Sequence, residues 1–510
     1  MSIAAPRATH RYAMLWRWHF YAGLFTAPFL VILSITGAIY LFNDELNDLI
    51  YPELRFASST APAQPASALV AAVTAHWPES TVTRIDMPLA EGRSAMLFVT
   101  PEDGPPFRAF VDPGDARVLG SFVYTSTLVG FADVFHGSLM LGDVGDAIVE
   151  LASCWALVLV LTGLYLWWPR GAGRADKNSD KSADKKAGKK DTSRRGRVLP
   201  NLTLRGRRLW REVHRFTGFY TALLIIFLIL SGLPWATVWG GMVLQPVSNA
   251  LGLGYPSQYR HHGSAASETD GTGESGESGT GTQTEGESGT PTHSHTRSQT
   301  LSDTMGDAPW ALEQAPLPRS AHAHAHHGTT PGADGTAPPD VGVDHVVDVL
   351  AAQGMESAYR LSLPRDGHHL YSGYTYPDRP EGQRTLHVDR YTGEVLADIR
   401  FEDYGAVAKL VEWGVAIHMG NYWGRANQLV MLFTCIAIVG LVFTGLVMWW
   451  RRRPAGGLGA PRAPSPIRPR NLALVTLILL LVFPLTGLSL LVILAAEALW
   501  SRFARRPRNT

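Results

Sequence analysis

Four histidines recur in fixed register along this 510-residue chain. A shift of 282 positions carries His136 onto His418, Thr162-Gly163 onto Thr444-Gly445 and Trp167-Trp168 onto Trp449-Trp450. A shift of 195 carries His19 onto His214, Gly23 onto Gly218 and Gly37 onto Gly232. The two cysteines, Cys154 and Cys435, lie inside apolar runs, which excludes a disulfide framework and a Cys-based metal or iron–sulfur site. Any metal chemistry therefore rests on histidine.

The elements that must position these residues are apolar. Phe20 to Phe42, Ala147 to Trp168, Phe219 to Trp239, Leu429 to Trp450 and Leu472 to Leu494 each reach the roughly 20 residues a bilayer span needs. The first is long for a signal-peptide core and lacks a small-residue cleavage site, so it reads as an uncleaved helix. Lys and Arg set the orientation. Arg7, Arg11 and Arg17 precede span one, the loop from Arg170 to Arg211 is dense in basic residues, and Arg451 to Arg453 follow span four; these belong on the cytoplasmic side. Asn43 to about Thr125 and about Gly240 to Gly414 are then outside. The tail with Arg502, Arg505, Arg506 and Arg508 leaves two readings of span five: a single crossing, or a re-entrant hairpin broken at Pro484.

The repeats predict an internally duplicated membrane protein: an α-helical transmembrane bundle of four repeated helices plus a fifth apolar segment, with two small α+β modules outside. The expected boundaries are 1-42 for the cytoplasmic N-terminus and first span, 43-125 for the first outer module, 126-169 for an outer His segment and second span, and 170-209 for a basic linker. There follow 210-240 for the third span, 241-415 for the second outer module, 416-452 for its His segment and span, and 471-500 for the fifth segment. Within the first module Ala66 to His76 reads as a helix, and Thr81 to Met87, Ser94 to Thr100 and Phe107 to Val111 as strands. Val343 to Gln353, Ser357 to Leu363, Leu370 to Tyr376 and Arg384 to Asp389 repeat that order. Gly171 to Arg197 reads as a solvated linker whose charge suits anionic lipid head groups rather than nucleic acid. The low-complexity insert at about 262-339 is too polar to fold alone.

Both halves enter the bilayer from the same side, so a pseudo-two-fold axis along the membrane normal pairs His19 with His214 at the cytoplasmic depth and His136 with His418 at the outer one. Taken singly, each His is explained by snorkelling beside Trp and Arg; four in two registers are read as ligands. Facing neutral imidazoles between helices suit an axial bis-His haem, one for each pair. Zinc wants four ligands and finds no Cys or carboxylate to complete its set. The six repeated glycines serve helix packing or make room for a porphyrin plane, and the paired tryptophans form an interfacial belt. About eleven residues separate His136 from Ala147, roughly 16 Å of helix, so His136 is either in a long helix rising above the bilayer or in a separate outer segment. His322, His324, His326 and His327, with His261, His262, His293 and His295, are weak candidates for loose metal capture. His368, His369 and His387 are expected on the surface of the second module.

Several stretches carry a family resemblance. His19-x-x-x-Gly23, Val111-Asp112-Pro113-Gly114 with Val118-Leu119, Phe135-His136-Gly137-Ser138-Leu139 and Thr162-Gly163-Leu164-Tyr165-Leu166-Trp167-Trp168-Pro169-Arg170 resemble the PepSY-associated transmembrane proteins, which include iron-regulated inner-membrane proteins and ferric-siderophore reductases. Met419-Gly420-Asn421 departs from the Gly137-Ser138-Leu139 pattern in the second half. The resemblance implies a bacterial inner-membrane protein with two periplasmic PepSY modules, b-type haem in some members, and reduction of ferric siderophores. Carried over by position, the ligand candidates are again His19, His136, His214 and His418.

Together these expectations describe a membrane electron conduit with haem b, two bis-His sites, a cytoplasmic or quinol donor and a periplasmic ferric chelate as acceptor. The chain has no flavin or nicotinamide motif. The alternatives are a non-catalytic metal or siderophore uptake accessory and a regulatory membrane protein acting through its PepSY modules.

Overall fold

The computed structural model describes residues 7–168, 199–201, 203–256, 310, 312, 317–318, 339–365, 370–454, 456–457, 459 and 469–504. In chain order its main elements are α1 (Arg7–Tyr40), α2 (Ala66–His76), β1 (Ser80–Asp86), β2 (Ala95–Pro101), β3 (Phe107–Val111), β4 (Val118–Phe122), α3 (Leu128–Ser138), α4 (Gly142–Trp167) and α5 (Arg207–Gly232). Then come α6 (Val343–Ala352), β5 (Tyr359–Ser362), β6 (Leu370–Thr375), β7 (Arg384–Asp389), β8 (Val395–Arg400), α7 (Ala406–His418), α8 (Arg425–Trp450), α9 (Pro469–Val482) and α10 (Pro484–Ala504). The chain divides into a helical unit, residues 1–49, 124–247 and 413–510, and a sheet unit, residues 50–123 and 248–412.

In the helical unit, four helices are long and apolar enough to cross a membrane: Tyr12–Tyr40, Gly142–Trp167, Arg207–Trp235 and Arg425–Trp450. They pack in a ring, α1 on α4, α4 on α5, α5 on α8 and α8 on α1. That order makes α1 and α5 one diagonal and α4 and α8 the other. Their lipid-type faces are rich in Leu, Phe and Ile, as apolar side chains directed outward must be where the solvent is hydrocarbon. Basic side chains settle on aromatic rings at the end where α1 begins and α8 ends: Arg452 lies 4.0 Å from the centre of the Trp16 ring and Arg453 3.5 Å from that of Trp450.

The expected fifth segment is not one helix. It breaks at Phe483, before Pro484, into α9 and α10, which pack against one another. A Cβ on Gly487 would lie 2.4 Å from the Leu480 backbone nitrogen, so the chain reverses on a backbone contact that only glycine permits. The third span also ends early. Gly232 closes α5, and Pro234, which lacks an N–H, sits in a 3₁₀ turn that leads to a π-helical segment, Thr237–Leu244.

The sheet unit holds one antiparallel sheet of eight strands in the order β4-β3-β2-β1-β5-β6-β7-β8. The expected strands are present, but the two halves are joined rather than separate, since β1 pairs with β5 through Arg84 with Ser362, Ile85 with Leu361 and Asp86 with Arg360. The physical reason is the edge: each four-stranded half would otherwise expose a row of unpaired backbone groups along β1 or β5. Alternation along the strands directs Ile85, Leu97, Val99, Ala109 and Val111 onto Leu69 and Val73 of α2. Leu361, Leu386 and Val388 pack on Val346 and Leu350 of α6 in the same manner.

A buried carboxylate organises the turn after each third strand of a half. Asp112 accepts from the backbone N–H groups of Ser58, Ser59 and Gly114 at 2.7, 2.9 and 3.0 Å, and Asp389 from those of Tyr391 and Thr392 at 2.8 and 3.0 Å. Burial pushes the Asp112 carboxyl up, and the N–H donors outweigh it and hold the group below the usual carboxylate range. His387, expected on the surface, is instead 2 % exposed within the sheet, its Nδ1 2.8 Å from the Ser372 hydroxyl. The strand alternation that turns Leu386 and Val388 to α6 turns His387 to the opposite, covered face. In the insert, Trp310 and Leu312 are also buried, 1 % and 0 % exposed, so a polar composition does not keep these two apolar residues in solvent. His261, His262, His293, His295, His322, His324, His326, His327, His368 and His369 lie outside the described residues.

Candidate metal centre

Each of the four repeated histidines is received by a spanning helix with the same five-residue pattern, Leu-x-x-Thr/Ser-Gly. Leu33 to Gly37 on α1 receives His136, Leu159 to Gly163 on α4 receives His19, Leu228 to Gly232 on α5 receives His418, and Leu441 to Gly445 on α8 receives His214. A hydroxyl one residue before the glycine meets the imidazole. His19 Nδ1 is 3.2 Å from Thr162 Oγ1, His136 Nδ1 3.0 Å from Thr36 Oγ1, His214 Nδ1 2.9 Å from Thr444 Oγ1 and His418 Nδ1 2.8 Å from Ser231 Oγ. Carbonyls one turn earlier on the helix join them: Leu159 O is 3.0 Å from His19 Nδ1 and Leu441 O 3.2 Å from His214 Nδ1.

These contacts fix the tautomer. The hydroxyls of Thr36, Thr162 and Ser231 donate their own hydrogens to carbonyls four residues back, at 2.9, 2.8 and 2.7 Å, and Thr444 donates to Leu441 O at 3.0 Å. A hydroxyl whose hydrogen is committed in this way, and a carbonyl in any case, can only accept. Nδ1 therefore carries the proton, and Nε2 carries the lone pair. Holding Nδ1–H with an oxygen acceptor is what orients a metal-ligating imidazole.

The glycine of each pattern lets the ring lie against the helix. A Cβ at Gly163 would come 3.0 Å from His19 Cε1 and one at Gly37 3.2 Å from His136 Cε1; at Gly232 and Gly445 the distances to His418 and His214 are 3.5 and 3.7 Å. At the first-half positions a side chain would press the imidazole by a few tenths of an ångström, and the second-half ones are at ordinary contact.

The rings meet in pairs across the bundle. The His19 and His214 centroids are 6.3 Å apart with planes at 84°, and the His136 and His418 centroids are 6.4 Å apart at 89°. His19 and His214 stand on the diagonal helices α1 and α5, so their rings approach through the interior. An imidazole nitrogen binds a metal at about 2.0–2.1 Å with its ring centre about 1.1 Å behind, so two axial imidazoles on one ion place their centres about 6.3 Å apart. Both separations match that value. Among the described residues no group of three or more His, Cys, Asp or Glu could hold a metal ion, so each pair could offer a metal two imidazoles and nothing toward a four-ligand protein site.

His136 is not in a helix continuous with the span. It belongs to α3, which ends in left-handed Leu139 (φ 52°) before α4 begins at Gly142. The side chain turns back onto Thr36 and Gly37, within the Tyr12–Tyr40 span. His418 likewise ends the separate helix α7.

Sequence reasoning identified the four histidines and the glycines but missed the hydroxyls. The signal was legible, since Thr36, Thr162, Ser231 and Thr444 each precede one of the repeated glycines. It also missed Glu150, the one acidic residue inside the five apolar segments.

Four apolar helices long enough to span a bilayer, arranged in a ring with facing imidazoles inside, define a multi-pass membrane protein. The chain belongs to the PepSY-associated transmembrane family, whose model, described as the PepSY-associated TM region, matches residues 16–452. No curated protein matches the chain.

Proposed function

We propose that this protein is a haem-bearing electron conduit of the bacterial inner membrane that reduces ferric iron, as a ferric siderophore, on the periplasmic side. The observation that carries this reading is the pair of imidazole–imidazole separations, 6.3 and 6.4 Å, each with Nδ1 held and Nε2 left for a metal. Two ligands per site and flanking glycines favour haem over zinc, because a macrocycle supplies the four equatorial nitrogens. Bound haem would supply one-electron chemistry at both depths. His19 and His214 would hold the inner group and His136 and His418 the outer one. Thr36 and Gly37, which receive His136, lie seventeen and eighteen residues along α1 from His19, about 26 Å.

The residues of the chain do the rest by position. The Thr and Ser hydroxyls fix the imidazoles, the apolar bundle excludes water, and the basic end of the bundle marks the cytoplasmic face with the N-terminus on it. The α9–α10 pair fits a re-entrant hairpin, which would keep the arginine tail on that face. In the sheet unit, β1–β4 with α2 and β5–β8 with α6 read as two PepSY modules, and the repeated elements as an ancestral duplication. Reduction loosens iron from an oxygen-rich chelate because Fe(II) binds hard oxygen ligands more weakly than Fe(III).

The test is vectorial. Protein reconstituted in liposomes with a reductant inside and a ferric hydroxamate outside should produce external Fe(II), trapped by a ferrous-specific chelator, while His19→Ala protein should not. Purified protein without a reduced-minus-oxidised b-type spectrum would refute the reading.

A further inference from the structure

Glu150 is an ionisable side chain that the four histidines and their acceptors leave unused. It lies on α4 within a membrane-spanning segment and is 2 % exposed. Its Oε2 accepts from the backbone N–H groups of Val238 and Trp239, both at 3.1 Å, and Asp146, one turn earlier, accepts from Thr237 N–H at 2.7 Å. The two carboxylates cap the Thr237–Leu244 segment, which begins five residues after Gly232, the residue packed on His418. Oε1 is buried with no hydrogen-bond partner. Capping accounts for Oε2 alone. A glutamine would cap equally well through its carbonyl oxygen, without placing an ionisable group in hydrocarbon, where such residues are costly and mark function.

The depth is suggestive of a task. α4 runs antiparallel to α1 with Gly163 beside His19, so Glu150 lies about 20 Å from the inner pair, against about 26 Å for the outer pair. It is therefore close to the level of His136 and His418. The charged or titratable groups on elements packed around it are few. Asp143, Asp146 and Cys154 stand with it on α4, and α3 carries His136 together with Asp133, which accepts from the Tyr124 hydroxyl at 2.8 Å. Residues 20–40 of α1, 216–232 of α5 and 484–496 of α10 carry no Asp, Glu, Lys, Arg or His, and Trp239 meets it only through its backbone N–H.

We infer that Glu150 is the proton-loading group of the outer site, an inference that rests on the haem reading above. With a haem held by His136 and His418, each electron arriving there would be matched by one proton from water adding to Glu150 Oε1. The carboxylate becomes a carboxylic acid and the local charge is unchanged. When that electron left for a ferric substrate, the O–H bond would break and the proton would return to water. Val238 and Trp239 hold Oε2 throughout, so Oε1 is the atom that gains and loses the proton.

The experiment is a redox titration of the haem-loaded full chain at pH 6, 7 and 8. The outer midpoint should fall with rising pH by up to about 59 mV per unit, the value for one proton per electron, and should be independent of pH in Glu150→Gln, with the inner midpoint unaffected. A second readout needs no variant. Dicyclohexylcarbodiimide, which attaches to protonated carboxyls in apolar surroundings, should label Glu150 more in dithionite-reduced than in oxidised protein, as mapped by peptide mass spectrometry. A pH-independent wild-type midpoint, an unchanged slope in Glu150→Gln, or labelling indifferent to redox state would overturn this inference alone. A chain that binds no haem would overturn the haem reading and this one with it.

Discussion

The inner and outer histidine pairs present almost the same geometry but are built differently. His19 and His214 stand on the spanning helices α1 and α5, so the packing of the bundle itself sets their separation. His136 and His418 are delivered by the short helices α3 and α7, and only their receiving groups belong to spans. Local devices hold those short helices. Thr127 caps α3 through the Gly130 N–H at 2.9 Å, and Asn427 Nδ2 donates to Ile417 O at 2.8 Å beside the end of α7. The outer pair thus depends on short capped helices, and the inner pair on the packing of the spans.

The largest expected effect separates the pairs. His136→Ala should remove the outer haem and leave the inner, and His19→Ala the reverse, read as half the pyridine haemochrome signal per chain. The next effect separates the halves. Gly163→Ala places a methyl 3.0 Å from His19, whereas Gly445→Ala places one 3.7 Å from His214. Overpacking of this kind costs about 1–3 kcal/mol, so Gly163→Ala should lower inner haem occupancy several-fold while Gly445→Ala stays close to wild type in a haem titration. A smaller effect is expected from the acceptors. Thr162→Val removes one partner of His19 Nδ1 but leaves the Leu159 carbonyl, so inner haem affinity should fall by about tenfold or less, the low end for outer-shell partners.

The smallest effect on haem is expected at His387, which is buried without belonging to a pair. His387→Gln should leave haem content unchanged and should act on stability. Burial holds the His387 imidazole down at about 4. The unfolded chain takes up this proton as pH falls through about 6.5, whereas the folded chain resists until about 4, so the stability contributed by the neutral imidazole is full above 6.5 and is lost as pH falls toward 4. Thermal melts at pH 7.5 and pH 5 should show a smaller acid-induced drop in His387→Gln than in wild type.

Much of this organisation was legible in the chain. Apolar length identified four spans, and the 195 and 282 shifts identified the histidines, because an imidazole packed on a glycine and a hydroxyl restricts residue types at fixed intervals. The union of β1 with β5 was not legible, since strand pairing across nearly 300 residues leaves no local pattern. Nor was the burial of His387, which depends on what covers the second face of the sheet. The hydroxyl acceptors were visible as Thr or Ser before glycine, but in an apolar helix such residues ordinarily bond their own backbone, and their second role emerges only when an imidazole is brought against them. Pro484 did signal the break between α9 and α10, yet only the contact of Gly487 with Leu480 shows that the chain turns back on itself.

The most direct measurement is the haem-to-protein ratio of wild type beside the double variants His19→Ala/His214→Ala and His136→Ala/His418→Ala, with low-spin electron paramagnetic resonance of each. One haem should be lost in each double variant, and the haem that remains should give the strongly anisotropic signal of near-perpendicular imidazole planes. Full haem content in either variant, or loss of all haem in both, would contradict two independent bis-histidine sites.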